Sequence, residues 1–437
     1  MSVKIAIIGL GTVGGGVWQI LQENRHVVNS RAGTEVEVKK VCDINPEAAG
    51  DLNIPSGMFT KDYREILTDP EISLVVVLTG SVEVGFDIIS ECFKRNKHVV
   101  TANKALLAKK WKEIFSLSRE KSCLIYFEAA VGSGVPVIQG INEGLAANRI
   151  NKVKGILNGT SNYVLSKMSR ENRSLKQALD EAIEAGFAEP DSSADIDGFD
   201  AAHKICVLAN IISPRPVDFN DIYVEGIGEI KREDISFAAD MFNFKLKHLC
   251  VMKKTDSGMD VRVHPAFLLP EDMLSSVNYE NNAVLVDASN AGEVMFYGKG
   301  AGRYPAASAV VSDLLYVAQK INYGIAGRIP FVHTQAQGPV AQLRDIDELE
   351  FQYYVRFTTV DEAGVLSSLS GILGRHGVSI ASCFQKGRSR AENVPIVMIT
   401  HRAREGAFKN ALKEIDSQDI IKKKSVFIRI ESEKEIY

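Results

Sequence analysis

The stretch GFAEPDSSADIDGFDAAHK at residues 186–204 sets five carboxylates, Glu189, Asp191, Asp195, Asp197 and Asp200, ahead of a single lysine, Lys204. Asp197 is suited to cap a helix whose spacing runs on through GFDAAHKICVLANII, which puts Asp200 and Lys204 at i and i+4 on one face. On a solvated helix such a pair is an ordinary ion pair that stabilises little. Here the helix continues as ICVLANII, apolar enough to be buried, so its polar face is expected to line a cleft. A lysine removed from water gives up its proton more easily than a free one. Lys204 is then equipped to relay a proton to or from an alcohol, and the surplus carboxylates suit a substrate carrying an ammonium group.

A second set of residues complements that chemistry. In GLGTVG, Gly9, Gly11 and Gly14 stand between the buried strand VKIAII and a helical stretch, the setting in which such a loop binds a dinucleotide. Gly9 allows the tight turn, Gly11 lets backbone approach a pyrophosphate, and Gly14 lets the helix lie close to the sheet. The amides of Thr12 and Val13 then point at the phosphates from the helix N-terminus. Asp43 ends the second strand in KKVCDINP, placed late by a long NSRAGTE connection, where a carboxylate reads the adenine ribose. It suits the two hydroxyls of NAD and repels the extra phosphate of NADP, although Lys39, Lys40 and Lys61 lie nearby and leave the preference open.

These groups need a scaffold. The chain has 437 residues, 45% hydrophobic and 24% charged, which fits a globular protein of several domains. A net charge of −4 gives no basic field for nucleic acid or an anionic membrane, and no apolar run is long enough to span one. Six cysteines without a CxxC pair indicate neither zinc nor disulfides, and the N-terminus enters a strand with no signal-peptide pattern, so a cytoplasmic location is expected. Strand-like runs at 36–42, 73–79, 97–102 and 123–129 alternate with helical stretches, which implies a doubly wound parallel sheet. Residues 1–135 are read as the dinucleotide-binding domain and 136–320 as an α+β catalytic and dimerisation domain, with 300–340 returning to the cofactor domain. After the acidic LRDIDELE a small α/β module occupies 350–430, its helix presenting Val365, Leu366, Leu369, Ile372 and Leu373 to its own sheet and leaving the sheet edges free to pair with a second copy.

Six motifs carry a resemblance along essentially the whole chain: GLGTVG, TANKALLA (101–108), FEAAVGSGVP (127–136), GILNGTSNY (155–163), the acidic stretch, and FYGKGAGRYPAASAVVSDL (296–314). The sequence resembles homoserine dehydrogenases of the bacterial type with a C-terminal ACT domain. That resemblance implies NAD(P)-dependent interconversion of homoserine and aspartate semialdehyde on the route to threonine and methionine, with a Rossmann-type cofactor domain and a ferredoxin-like C-terminal domain. It assigns proton transfer to Lys204 and substrate binding to Asp200 and Glu189, with Asp195 and Thr160 in the same pocket. It places Lys104 near the nicotinamide, with Gly186 and Gly302 against the cofactor. It also implies a sodium ion held by Glu128, Val131, Ser133 and Val135, mostly through backbone carbonyls, so that a serine in the family's AAVGGG segment is expected to be harmless. Many NADP-using members carry an arginine where Cys42 stands here. The ACT domain implies a homo-oligomer, dimer or tetramer, and an amino-acid effector, threonine, bound near Gly364. Another amino-acid dehydrogenase would lack the AEPD-to-DAAHK constellation, and a non-catalytic cofactor sensor would have lost Lys204 or Asp200.

Overall fold

Strands buried on both faces need apolar residues at every position, and the first sheet is built that way. The computed structural model describes residues 2–256, 258–332, 339–385 and 393–432. Six parallel strands, β1 (Ser2–Ile8), β2 (Glu35–Cys42), β3 (Phe59–Thr60), β4 (Ile72–Val77), β5 (His98–Thr101) and β6 (Ile125–Tyr126), lie in the order β3-β2-β1-β4-β5-β6. This is a Rossmann-type doubly wound sheet, whose order reverses beside β1 and so opens a crevice at the strand C-termini. The helix Arg303–Asn322 returns to it, packing against the helix Thr12–Glu23 and against β1, β4 and β5. Residues 333–338 of the expected 300–340 return lie outside the described residues. Two expectations need correction. The run at 123–129 keeps strand geometry only over β6, because the chain turns into a 3-10 turn at Glu128–Ala130. The NSRAGTE connection is largely a helix, Arg25–Ala32, closed by Gly33 in the left-handed region.

The rest of the chain forms one long second sheet. Strands β7 (Ile150–Ile156), β8 (Tyr223–Val224), β9 (Lys245–Thr255), β10 (Gly258–Leu268), β11 (Asn281–Ala288) and β12 (Gly292–Lys299) make its first half. The second half comes from the C-terminal module: β13 (Glu350–Thr359), the helix Val365–Arg375, β14 (Ile380–Gln385), β15 (Val394–Thr400), the small β16 (Ala403–Arg404), the helix Glu405–Asp416 and β17 (Ile421–Ile430). The path runs β12-β11-β7-β9-β10-β17-β13-β15-β14, with β16 pairing β13 and β8 pairing β10. Within the module this is the β-α-β-β-α-β order of a split βαβ fold.

The expected free edges are not both free. At the seam β17 runs parallel to β10, with Ala266 opposite Arg429 and Phe267 opposite Ile430, so among the described residues the module keeps only β14 as an outer edge. One face of the module's sheet is covered by its own helices through Val365, Leu369, Ile372, Leu373 and Phe408, whereas Leu366 points outward and is 45% exposed. The other face, with Tyr354, Val397, Ile399 and Ile428, shares a core with Val164, Leu165 and Met168 of the helix Gly159–Arg170 and Ile235 of the helix Arg232–Phe242. The guanidinium of Arg356 clamps the fully buried Asp234 at 2.6 and 3.0 Å across this junction. Among the described residues no helix is long and apolar enough to cross a membrane.

Candidate active site

The helix Phe199–Ile212 buries Asp200 and Lys204 together with its apolar residues, because it is sandwiched between the helix Lys104–Glu120 and strands β9 and β10. Its N-cap is Gly198 rather than the expected Asp197, whose side chain is exposed. Gly198 has φ +89, and a Cβ there would come within 3.1 Å of the His248 ring, so the chain can enter the helix this closely only with glycine. Lys204 Nζ donates to Asp200 Oδ2 at 2.6 Å and to the Leu157 carbonyl at 2.7 Å. Lys104, the first residue of the helix after β5, reaches the other oxygen of the same carboxylate, Oδ1, at 2.8 Å. Asp200 therefore joins the helix Phe199–Ile212 to the C-terminal end of the first sheet. Burial alone would push its carboxyl up, but Lys204 and Lys104 together hold it well below the usual carboxylate range. Reciprocally, the Asp200 charge raises the Lys104 ammonium against the opposing effect of its burial.

Asn158, which the sequence reading did not single out, organises the acids. It caps the helix Gly159–Arg170 through Oδ1, which accepts from the Ser161 amide, while its Nδ2 donates to Asp195 at 2.5 Å and Asp200 at 2.7 Å. Its signal was a cap-type residue before a helix inside GILNGTSNY; its second duty has no local signature. Asp195 is half-buried, and burial followed by the neighbouring Asp200 charge raises its carboxyl. Thr160 lies buried beside them and donates to the Phe187 carbonyl at 2.9 Å. Glu189 and Gly186 lie on the exposed loop above, Glu189 close enough for its charge to act on Lys104. Asp191 instead caps its own loop by accepting from Ser193. Of the five carboxylates, then, two turn inward and Glu189 stands at the rim.

The glycine loop has the expected geometry. Gly9 sits at φ +97, with a would-be Cβ 2.8 Å from the Leu78 carbonyl oxygen; any Cβ on Gly14 would strike the Gly9 carbonyl; Gly11 faces open space. Thr12 and Val13 open the helix, and Gly302, at φ +128, opens the helix that packs beside it. Asp43 accepts from the Leu10 amide at 2.6 Å and from Asn45 at 2.8 Å, which fixes its carboxylate against this loop. Of the lysines nearby, Lys39 is bound by Asp69 and Glu71, and Lys40 by Glu65.

At the other end of the crevice Glu128 accepts amide hydrogens from Ile138 and Gln139, each at 2.8 Å, and burial pushes its carboxyl up to about 7. Asp313, fully buried beside it, accepts from the Glu128 amide at 2.6 Å and is raised well above the usual range, by burial and then by Glu128. Among the described residues no basic side chain bonds to either carboxylate, and no three His, Cys, Asp or Glu side chains gather as a metal site. A buried carboxylate without a counter-charge chemically fits a monovalent cation better than zinc. Ser133 is not neutral here: it adopts φ +57, a conformation costing an L side chain about 1 kcal/mol, and its hydroxyl is buried without a partner.

Comparison with known proteins gives a consistent result. Residues 9–128 match the family model "Homoserine dehydrogenase, NAD binding domain" and residues 136–315 the model "Homoserine dehydrogenase". A homoserine dehydrogenase of Neisseria gonorrhoeae is 37% identical over 98% of this chain and 99% of its own length. The crystal structure of a homoserine dehydrogenase from Thiobacillus denitrificans superposes with a TM-score of 0.93 at 35% identity, covering 99% of this chain and 98% of that one. A hyperthermophilic archaeal homoserine dehydrogenase in complex with NADPH superposes with a TM-score of 0.63 at 26% identity, covering 73% of this chain and 98% of its own.

Proposed function

The chain belongs to the homoserine dehydrogenase family and is an NAD(P)-dependent oxidoreductase, and from that premise we propose that Lys204 handles the proton while Asp200, Asp195, Glu189 and Thr160 hold the substrate. The observation that carries this reading is the Lys204–Asp200–Lys104 bridge, which sets a proton donor at the meeting of the cofactor sheet and the substrate helix. The nicotinamide supplies or accepts the hydride at the carbinol carbon of homoserine. Leu157 and Asp200 take two N–H groups of the Lys204 ammonium, so the third is left for the substrate oxygen. In the reducing direction that proton goes to the aldehyde oxygen as its carbon gains hydride; in the oxidising direction the neutral amine recovers it from the hydroxyl. Glu189 at the rim and Asp195 suit the substrate ammonium, whose charge would oppose the burial that raises the Asp195 carboxyl. Gly9, Gly11, Thr12, Val13, Gly14, Asp43, Gly186 and Gly302 would hold the cofactor, with Lys104 beside it.

The reading extends to three further assignments. Glu128 with the carbonyls of Val131, Ser133 and Val135 would hold a sodium ion, offsetting a buried charge and ordering the segment between the domains. The C-terminal module, 350–430, is an ACT domain that takes threonine near Gly364, whose φ of +96 leaves the preceding amides in a turn at the head of a helix. The chain works as a homo-oligomer in threonine and methionine biosynthesis. The test is aspartate-semialdehyde-dependent oxidation of NADH and NADPH by the purified chain, with and without threonine. Turnover in neither assay would remove the proposed reaction, and turnover indifferent to threonine would remove the effector.

A further inference from the structure

The C-terminal module touches the substrate acids through one continuous line of hydrogen bonds. It begins at Arg429 on β17, fully buried and held by Glu405 of the module's own helix. Arg429 Nη1 donates to Glu225 Oε2 at 2.6 Å, and the Tyr223 hydroxyl donates to the same oxygen at 2.8 Å. Glu225 belongs to the substrate half of the molecule, just after β8. Its backbone carbonyl lies 3.0 Å from His248 Nε2. A carbonyl can only accept, so Nε2 carries the proton and Nδ1 is left as an acceptor 3.4 Å from the Ser161 hydroxyl, whose single proton is shared between it and the Asn158 carbonyl at 3.3 Å. The Ser161 amide is bonded to Asn158 Oδ1 at 2.7 Å, and Asn158 Nδ2 holds Asp195 and Asp200.

A second strut runs beside the first. The Ile227 amide donates to the Ile196 carbonyl at 2.8 Å, and any Cβ on Gly226 would collide with that carbonyl. The segment 225–227 therefore backs the short helix Ser193–Ile196 that carries Asp195, while the His248 ring fills the space behind Gly198 at the head of the Asp200 helix. Burial lowers the His248 pKa to about 4, so the ring stays neutral, and the bridge is geometric rather than a charge switch.

We propose that His248 and Glu225 are positioning residues that transmit the placement of the C-terminal module to the acids of the substrate pocket. Neither touches substrate or cofactor; each fixes where Asp195 and Asp200 stand. The inference rests on the assignment of those acids to the substrate. Its test compares His248→Phe, which keeps a ring and loses the donor, with His248→Gln, which restores an N–H near the Nε2 position, and with Glu225→Gln, alone and combined with His248→Phe. Steady-state KM for aspartate semialdehyde, KM for the nicotinamide cofactor and Tm are measured on the full chain.

The expected result for His248→Phe is a rise of about tenfold in substrate KM, the scale of one buried hydrogen bond, with cofactor KM unchanged. His248→Gln should recover most of it. Glu225→Gln should raise substrate KM less, and the double variant should match His248→Phe, since residues on one path do not add. Equal losses in both KM values, a fall in Tm alone, or strictly additive effects would overturn the bridge. Asp200→Asn is the control. Should it leave substrate KM and turnover intact, the assignment of the pocket falls, and the bridge with it; should it abolish activity while both His248 variants behave as wild type, only the bridge falls.

Discussion

Replacing Lys204 by methionine separates chemistry from folding, because each group the lysine holds keeps another donor. The Leu157 carbonyl retains Asn282 Nδ2 at 3.0 Å, Asp200 Oδ2 retains Asn158 Nδ2 at 2.7 Å, and Asp200 Oδ1 retains Lys104 at 2.8 Å. No charge is orphaned. The stability lost is then two charge-assisted hydrogen bonds, about 3–6 kcal/mol, or a Tm fall of about 6–24 °C for a core of this size. The activity lost is that of a positioned acid–base group, about 10²–10⁴-fold in turnover, while the cofactor Kd measured by fluorescence titration stays put. Asp200→Asn works the opposite way. It leaves two ammonium groups facing a neutral amide in a buried site, which costs about 3–5 kcal/mol, so turnover and Tm fall together. The assay is aspartate-semialdehyde reduction followed by nicotinamide absorbance, with calorimetry on the same preparations. A Lys204→Met protein turning over within threefold of wild type would make the lysine a counter-ion only and refute the proposed mechanism.

Other outcomes follow from the same geometry. With Lys39 and Lys40 already bound by acids and Cys42 uncharged, kcat/KM for NADH should at least equal that for NADPH; a large NADPH advantage would mean that Lys39, Lys40 or Lys61 supplies the positive charge for a 2'-phosphate. Arg356→Met should lower stability by about 3–5 kcal/mol, read as a shifted urea midpoint, because Asp234 is fully buried and, among the described residues, keeps only the Tyr354 hydroxyl at 3.1 Å. Asp200 and Glu431 hold protons less tightly folded than unfolded, Glu431 because Arg262 and Lys152 outweigh its burial. Their contribution is therefore complete above the unfolded carboxylate range and lost as pH falls below about 4, so the urea midpoint should drop there, less steeply in Glu431→Gln. Truncation after Asp345 should give aggregated protein rather than an unregulated enzyme, since it uncovers Phe267, Val164 and Ile235; a soluble, monodisperse truncation would show that the shared core is dispensable.

The parts of the molecule that could be read from sequence are those whose causes are local. VKIAII followed by GLGTVG specifies a buried strand, a turn that only glycine at Gly9 can make, and a helix pressed on that turn at Gly14; each requirement sits within a few residues of the others. The i, i+4 placement of Asp200 and Lys204 is equally local, and the structure brings the two together at 2.6 Å. Asp197 shows where this fails. Cap preference favours aspartate, but the ring of His248, distant in the chain, leaves no room for a side chain at the helix entry, so Gly198 takes the cap in a left-handed conformation.

The same distinction explains the one architectural surprise. A split βαβ module reads as autonomous because its periodicities close on themselves, and nothing inside 350–430 reports that β17 has a partner outside it. That partner, β10, lies more than a hundred residues upstream, and the pairing extends over only Ala266–Arg429 and Phe267–Ile430. What fixes it is burial: Arg356 takes its buried carboxylate, Asp234, from the other half of the molecule, and Arg429, already held by Glu405 of its own module, takes Glu225 there as well. Two arginines on strands that otherwise alternate as apolar core are therefore the trace in the sequence of a partner surface. They argue that the module was built to be held by the catalytic half.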